Sequence, residues 1–216
     1  MKKIFSVLSG ILLLTGCTKN VLNEFESTKS STPEVNVESV VSNGANVNMA
    51  KPVRSTSQFV LYTIRQGQHS SDKSVLKSVK LSSMNFIAKF DNSAIYQTID
   101  PINQYDINKL YGFSEGVNHQ YNSARIGWAY NDGALRLYAY AYNKGVRASQ
   151  EITTVSTNTE IPCSITLSGN SYVFTANNVS VSLSRANSTA TASGYQLYPY
   201  FGGDEVAPQD IYIQIK

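Results

Sequence analysis

In the stretch from Ser123 to Tyr142, SARIGWAYNDGALRLYAYAY, Arg136, Tyr138, Tyr140 and Tyr142 fall at every second position, downstream of Arg125, and this is where the sequence places residues able to do chemistry. Successive residues of a strand point to opposite faces of a sheet. If two strands pair around Asp132-Gly133, Arg125 shares a face with Arg136, Tyr138, Tyr140 and Tyr142. Aromatic rings stack on the C–H faces of sugars, and a planar guanidinium bonds carboxylates or hydroxyls two at a time, so such a face suits an extended glycan. Gly127, opposite Tyr138, leaves room above the sheet for a ligand or a covering loop. A structural reading stands beside this one: strand tyrosines packing under a loop, with Arg125 tied to a buried carboxylate.

The same residue types serve β-elimination on a uronate polymer. That reaction needs a cation or amide to neutralise the carboxylate, a His or Tyr to take the ring proton, and a Tyr to protonate the leaving oxygen. His119, Tyr121, Arg125 and Tyr200 are the candidates, with Gln68 and His69 of suitable type as well. His119 lies five residues before Ala124, on a polar approach that leads to the rim of the sheet, where a histidine also serves as an ordinary loop hydrogen-bonder. Glycoside hydrolysis is not expected, because no pair of carboxylates is spaced along a strand as in Glu-x-Asp-x-x-Glu. Asp204, Glu205 and Asp210 offer hard oxygen ligands of the kind calcium takes, but at no recognised spacing; as turn-forming acids, with Asp210 bonding its own backbone, they need no ion. Cys163 and two well-separated histidines do not make a transition-metal site, and no cofactor is expected.

The elements that must position these residues follow from turn chemistry and alternation. Asp132-Gly133 readily supplies the positive dihedrals of a two-residue type I′ turn, which sets Tyr130 opposite Leu135, Trp128 opposite Leu137, Ile126 opposite Ala139 and Ala124 opposite Ala141. All the aliphatic residues then share the buried side, and a slip of one residue would reverse both faces. Upstream, Gln58 to Ile64 reads as a strand, Val75 to Leu81 alternates weakly, and Met84 to Phe90 alternates cleanly. Ala94 to Thr98 reads as a returning strand after the Asp91-Asn92-Ser93 turn, and Ile99 to Gln120 as a long connection. Downstream, Ile152–Val155, Ile161–Leu167, Tyr172–Thr175, Val179–Leu183 and Ile211–Ile215 are short strands separated by turns such as Asn143-Lys144-Gly145, Gly169-Asn170 and Asn177-Asn178. With no helical period of useful length, the fold class is all-β, an antiparallel sandwich of jelly-roll type rather than a parallel α/β fold.

Ahead of this domain, Met1 to Gly16 reads as a secretory signal, with Lys2 and Lys3 before an apolar run from Ile4 to Leu14 that is too short to be a membrane span. Leu14-Thr15-Gly16-Cys17 resembles the lipobox of bacterial lipoproteins, which implies cleavage before Cys17, acylation of its sulfur and a stable membrane anchor. Thr18 is not the Asp that retains lipoproteins at the inner membrane, so the outer membrane is expected, while the nearest acid, Glu24, leaves the leaflet open. Residues 17–57, rich in Ser, Thr, Asn and Val, read as a flexible tether. Once Cys17 is acylated, Cys163 has no disulfide partner, so burial must stabilise the domain. The net charge of +3 includes the basic signal, and the remaining Lys and Arg form no run or stripe, which argues against a nucleic-acid partner.

Three stretches carry a further resemblance: DINKLYGFS from Asp106, NSARIGW from Asn122 and YQLYPYFGGDEVAPQDI from Tyr195, with His119 between the first two. They are similar to a group of bacterial lipoproteins whose domain resembles the concanavalin A-like jelly-roll sandwich, over roughly Gln58 to Lys216. The resemblance implies a fold and a cell-envelope location, and no established activity. The Arg-Thr-Glu-Leu-Arg and Gln-Ile-His motifs of the alginate-lyase group are missing. The expected organisation is therefore a signal at 1–16, an acylated tether at 17–57 and a β-sandwich at 58–216. Its leading role is non-catalytic glycan binding, with a polysaccharide lyase and a structural or protein-interaction module as the alternatives.

Overall fold

Alternation of apolar and polar residues, cut by turns that tolerate positive φ, produces twelve strands among residues 58–216, which are the residues that the computed structural model describes. The signal sequence, Cys17 and the tether expected above lie outside the described residues. In chain order the strands are β1 (Val60–Ile64), β2 (Ser78–Leu81), β3 (Ser83–Phe90), β4 (Asn108–Ser114), β5 (Asn122–Asn131), β6 (Ala134–Asn143), β7 (Val146–Val155), β8 (Ile161–Ser168), β9 (Ser171–Ala176), β10 (Val179–Ser184), β11 (Ala192–Leu197) and β12 (Ile211–Ile215). They form two six-stranded sheets, ordered β1-β12-β3-β8-β9-β10 and β2-β11-β4-β5-β6-β7, with neighbouring strands antiparallel throughout. The fold is an open antiparallel β-sandwich of the jelly-roll class, as the strand spacing predicts.

The hairpin of β5 and β6 has the predicted register. Tyr130 pairs with Leu135, Trp128 with Leu137, Ile126 with Ala139 and Ala124 with Ala141, around a turn whose residues Asp132 and Gly133 have φ of 48° and 72°. Trp128, Ile126 and Leu137 are fully buried against the facing sheet, where Phe90 meets Trp128 at 5.2 Å between ring centroids. Truncating Leu137 to Ala would remove about 2–5 kcal/mol. That burial holds the opposite face of the hairpin outward.

Three predicted elements differ from what forms, the simplest being the strand expected at Ile152–Val155, which begins already at Val146. The stretch from Ile99 to Gln120 contains β4, in the middle of the second sheet. Its alternation is hidden because Asn108, Gly112 and Ser114 take buried positions and a bulge between Lys109 and Tyr111 resets the period. Ala94 to Thr98 is not a strand. Asp91 accepts from the Ser93 backbone N–H, capping a 3-10 turn at Asn92–Ala94, and the chain then runs irregularly to a second such turn at Pro101–Tyr105.

Candidate functional site

Four strands contribute to one row across the outward face of the second sheet. Leu197 of β11 pairs with Gly112 of β4, Gly112 with Arg125 of β5, and Arg125 with Tyr140 of β6. Gly112 is obligatory, because a Cβ there would strike the backbone of Ala124 and Arg125. It also leaves the arginine without a bulky neighbour on that strand. The hollow above this row has a volume of about 550 Å3 and is lined by Lys109, His119, Arg125, Tyr140, Tyr142, Tyr195 and Tyr200, with Val75 and Leu76 at its lip. Among the described residues, no Asp or Glu lines it.

Arg125 is the anomaly of this groove. The residue is only 7% exposed, its Nε is buried without a hydrogen-bond partner, and it joins no ion pair among the described residues. Burial lowers its pKa, and only tyrosines oppose that shift. Among the described residues, the carboxylate partner that the structural reading requires is absent. Tyr140 is buried beside it, with its hydroxyl pushed up to about 12 by burial and by its contact with Tyr142, whose ring lies 5.9 Å away edge-on.

At the rim, His119 Nδ1 and the Tyr195 hydroxyl share a hydrogen bond of 2.8 Å. The histidine loop is held by Ser123 Oγ, which donates to the His119 carbonyl at 2.6 Å. Burial, then the charge of Arg125, lowers the His119 pKa and keeps the imidazole neutral. Tyr200 enters from the segment after β11: its backbone exchanges hydrogen bonds of 2.8 and 2.9 Å with Lys109, and its ring stacks on His69 at 5.3 Å. His69 Nδ1 donates to the Phe201 carbonyl at 2.9 Å, so this imidazole is occupied in holding the Tyr200 strap.

The groove therefore gathers Arg125, Tyr140, Tyr142, His119 and Tyr200, and omits three other candidates. Tyr121 is exposed beside the Lys144-Gly145 turn, outside the hollow. Arg136 and Tyr138 lie on the predicted face, but the segment 99–107 runs over that half of the hairpin. The Ile107 side chain fills the space above Gly127, and Tyr105 donates to Asp132 at 3.0 Å. Arg136 is engaged by Asn131 at 2.8 Å and Glu151 at 3.1 Å. The vacancy expected over Gly127 is thus taken by the protein's own chain.

The acidic candidates do not converge either. Glu205 accepts from the backbone N–H groups of Ile99 and Asp100 and from Asn103, tying down the covering segment, which lowers its pKa. Asp210 accepts from the Gln66 backbone N–H and from Arg65, not from its own backbone. Asp204 is exposed, and no cluster of metal-ligating residues occurs among the described residues. Cys163 is buried with its thiol pushed up to about 12, which makes it inert.

Sequence reasoning missed Lys109 and Tyr195. Both sit on strands that were not recognised, β4 and β11, and the only signal was their place inside the DINKLYGFS and YQLYPYFGG stretches.

No family model matches the chain, and no curated protein matches it. Solved structures with a similar fold include the alginate lyase AlyC3, at 7% identity and a TM-score of 0.49, over 73% of this chain and 72% of that one. The marine family 7 alginate lyase AlyA1 of Zobellia galactanivorans matches at 12% identity and a TM-score of 0.42, over 73% and 62%. A carbohydrate-binding module, CBM66 of Bacillus subtilis, matches at 6% identity and a TM-score of 0.32, over 72% and 93%. Identities this low concern the sandwich architecture alone.

Proposed function

We propose that the chain is a lipid-anchored cell-envelope protein, acylated at Cys17 and held at the outer membrane, whose sandwich domain binds an acidic glycan without transforming it. The lipobox-like Leu14-Thr15-Gly16-Cys17 supports the anchor, and the resemblance of the motif-bearing stretches to envelope lipoproteins supports the location. One observation carries the binding reading: an arginine buried with its Nε unpartnered among the described residues, at a groove that no described acid lines and that tyrosines wall. Burying a charge without a counter-ion costs several kcal/mol, and a ligand carboxylate would recover it. Tyrosine faces above the guanidinium suit the C–H side of the same sugar.

The test is calorimetric titration of the full-length protein in detergent with oligomers of uronic acids and with their neutral counterparts. Saturable binding of the acidic oligomers, lost in Arg125→Met with no fall in melting temperature, supports the reading. Equal binding by Arg125→Met overturns it.

A second reading, β-elimination, is favoured by the hydrogen bond between His119 and Tyr195 in the same groove. A neutral imidazole next to a phenol, near a carboxylate-neutralising arginine, holds the three roles the reaction needs. Rising near-ultraviolet absorbance during incubation with uronate polymers would identify this activity, and a flat trace with intact binding leaves the non-catalytic reading in place.

A further inference from the structure

Lys109 is a second cation in this groove, and its placement is as constrained as that of Arg125. The bulge between Lys109 and Tyr111 turns its side chain toward the outward face. Its Nζ donates to the Ile107 carbonyl at 2.8 Å and lies 5.0 Å from the centre of the Tyr140 ring. Gly202 is the other half of the arrangement. A Cβ at that position would collide with the lysine ammonium and the Ile107 carbonyl, so the glycine keeps a slot open for the charge. The Gly202 backbone N–H donates to Asn108 Oδ1 at 2.7 Å, fixing the slot. No carboxylate lies within ion-pair distance of Lys109 among the described residues.

We infer that Lys109 is a specificity-determining residue of the groove, forming with Arg125 a two-cation floor that selects glycans with an acidic group on each sugar over neutral ones. The inference rests on the glycan-binding reading above and deepens it. Lys109 pairs in register with Gly127, two residues from Arg125, which makes the two cations diagonal neighbours on adjacent strands. Such neighbours stand about 7–8 Å apart at the backbone, within reach of one or two acidic groups on the same chain.

The two cations differ in one respect that an experiment can read. Burial, then Arg125 and Arg147, pushes Lys109 down to about 8, with Asp106 pulling weakly the other way. The other titratable groups facing it are Tyr140, Tyr142 and Tyr200 on one side and His119 with Tyr195 at the rim. Tyr140 loses its proton only near 12, and His119 is already neutral where Lys109 titrates. A bound anion favours the charged ammonium, so affinity must fall as pH rises through 8.

The test compares a uronic-acid tetramer with its fully methyl-esterified form, on full-length wild type, Lys109→Met and Lys109→Arg. Each variant is first checked by its melting curve. Wild type should lose about tenfold in affinity for the acidic tetramer between pH 7 and pH 9.5, and Lys109→Met about tenfold at pH 7, with binding of the ester unchanged in both cases. Lys109→Arg, which does not titrate in this range, should hold its affinity at pH 9.5. Acidic-tetramer binding that is unchanged in Lys109→Met, or a flat wild-type pH profile, overturns the inference and leaves the glycan-binding reading standing. Absence of wild-type binding to both tetramers overturns the two together.

Discussion

Arg185 and Arg125 are both withdrawn from solvent, and their surroundings could hardly differ more. Arg185 meets Glu115 through Nε at 2.6 Å and Nη2 at 3.1 Å, and its remaining N–H groups reach the Thr189 carbonyl and hydroxyl and the Gly169 carbonyl. Tyr172 and Asn187 donate to the same carboxylate at 2.5 and 2.9 Å. Burial works against the charge on Glu115, and these hydrogen bonds outweigh it, so the carboxyl pKa is lowered. Around Arg125 there is none of this. A buried arginine that closes its own network ties loops and strands together, whereas one left open costs stability that packing elsewhere must offset. On the proposed binding reading, the difference is that between a structural charge and one held ready for a ligand.

The largest expected effect tests the closed side of this pair. Arg185→Met leaves Glu115 buried and unpaired, and removing one partner of a buried pair costs about 3–5 kcal/mol. For a domain of this size the melting temperature should drop by about 6–20 °C in a thermal melt. A drop of under about 2 °C would mean that Glu115 finds other partners and that the two arginines are less unlike than their contacts indicate.

Arg125→Met should move the other way. With no partner to orphan and an unpaired charge removed, stability should rise by about 1–2 kcal/mol while binding of acidic glycans is lost. The two observables together matter. A melting temperature lowered as much as in Arg185→Met would show that Arg125 supports the fold, and the comparison would fail.

Acid titration sharpens the same contrast. Glu115 has a folded pKa below its unfolded one, so its stabilisation is complete above the unfolded value, near 4.3, and is lost as pH falls through the folded value. Wild type should lose stability across that acid window in chemical denaturation. Glu115→Gln should start less stable and show a shallower decline there. Arg125→Met should follow the wild-type slope, because no carboxylate among the described residues pairs with that site.

The β5–β6 hairpin was legible in the sequence to the residue, because Asp132-Gly133 admits one turn type and the aliphatic set admits one register. Strand β4 was not, because Asn108, Gly112 and Ser114 are buried for reasons that alternation does not carry: a hydrogen bond to Tyr96, a close approach to β5, and bonds to Gly116 and Tyr195. Strand β11 opens with Ala-Ser-Gly, a composition that reads as a turn. In the site, Arg125, Tyr140 and Tyr142 could be named from alternation alone. That Arg125 lacks a carboxylate, that Gly202 makes room for Lys109, and that Ile107 fills the space over Gly127 depend on segments far apart in the chain, which no local pattern encodes.

The smallest expected effect lies within the predicted face itself. Arg136 occupies the same side of the sheet as Arg125, but its charge is met by Glu151 at 3.1 Å and by Asp132 at 4.0 Å, with side-chain exposures of 24%, 40% and 59%. Ion pairs this wet contribute well under about 1 kcal/mol, since water screens them and ordering long side chains costs entropy. Arg136→Ala should therefore shift the melting temperature by no more than about 2 °C and leave acidic-glycan affinity within about twofold of wild type. A tenfold loss of affinity in this variant would mean that the segment 99–107 moves aside to extend the groove along the whole tyrosine row, and Tyr138 would then become the next position to truncate.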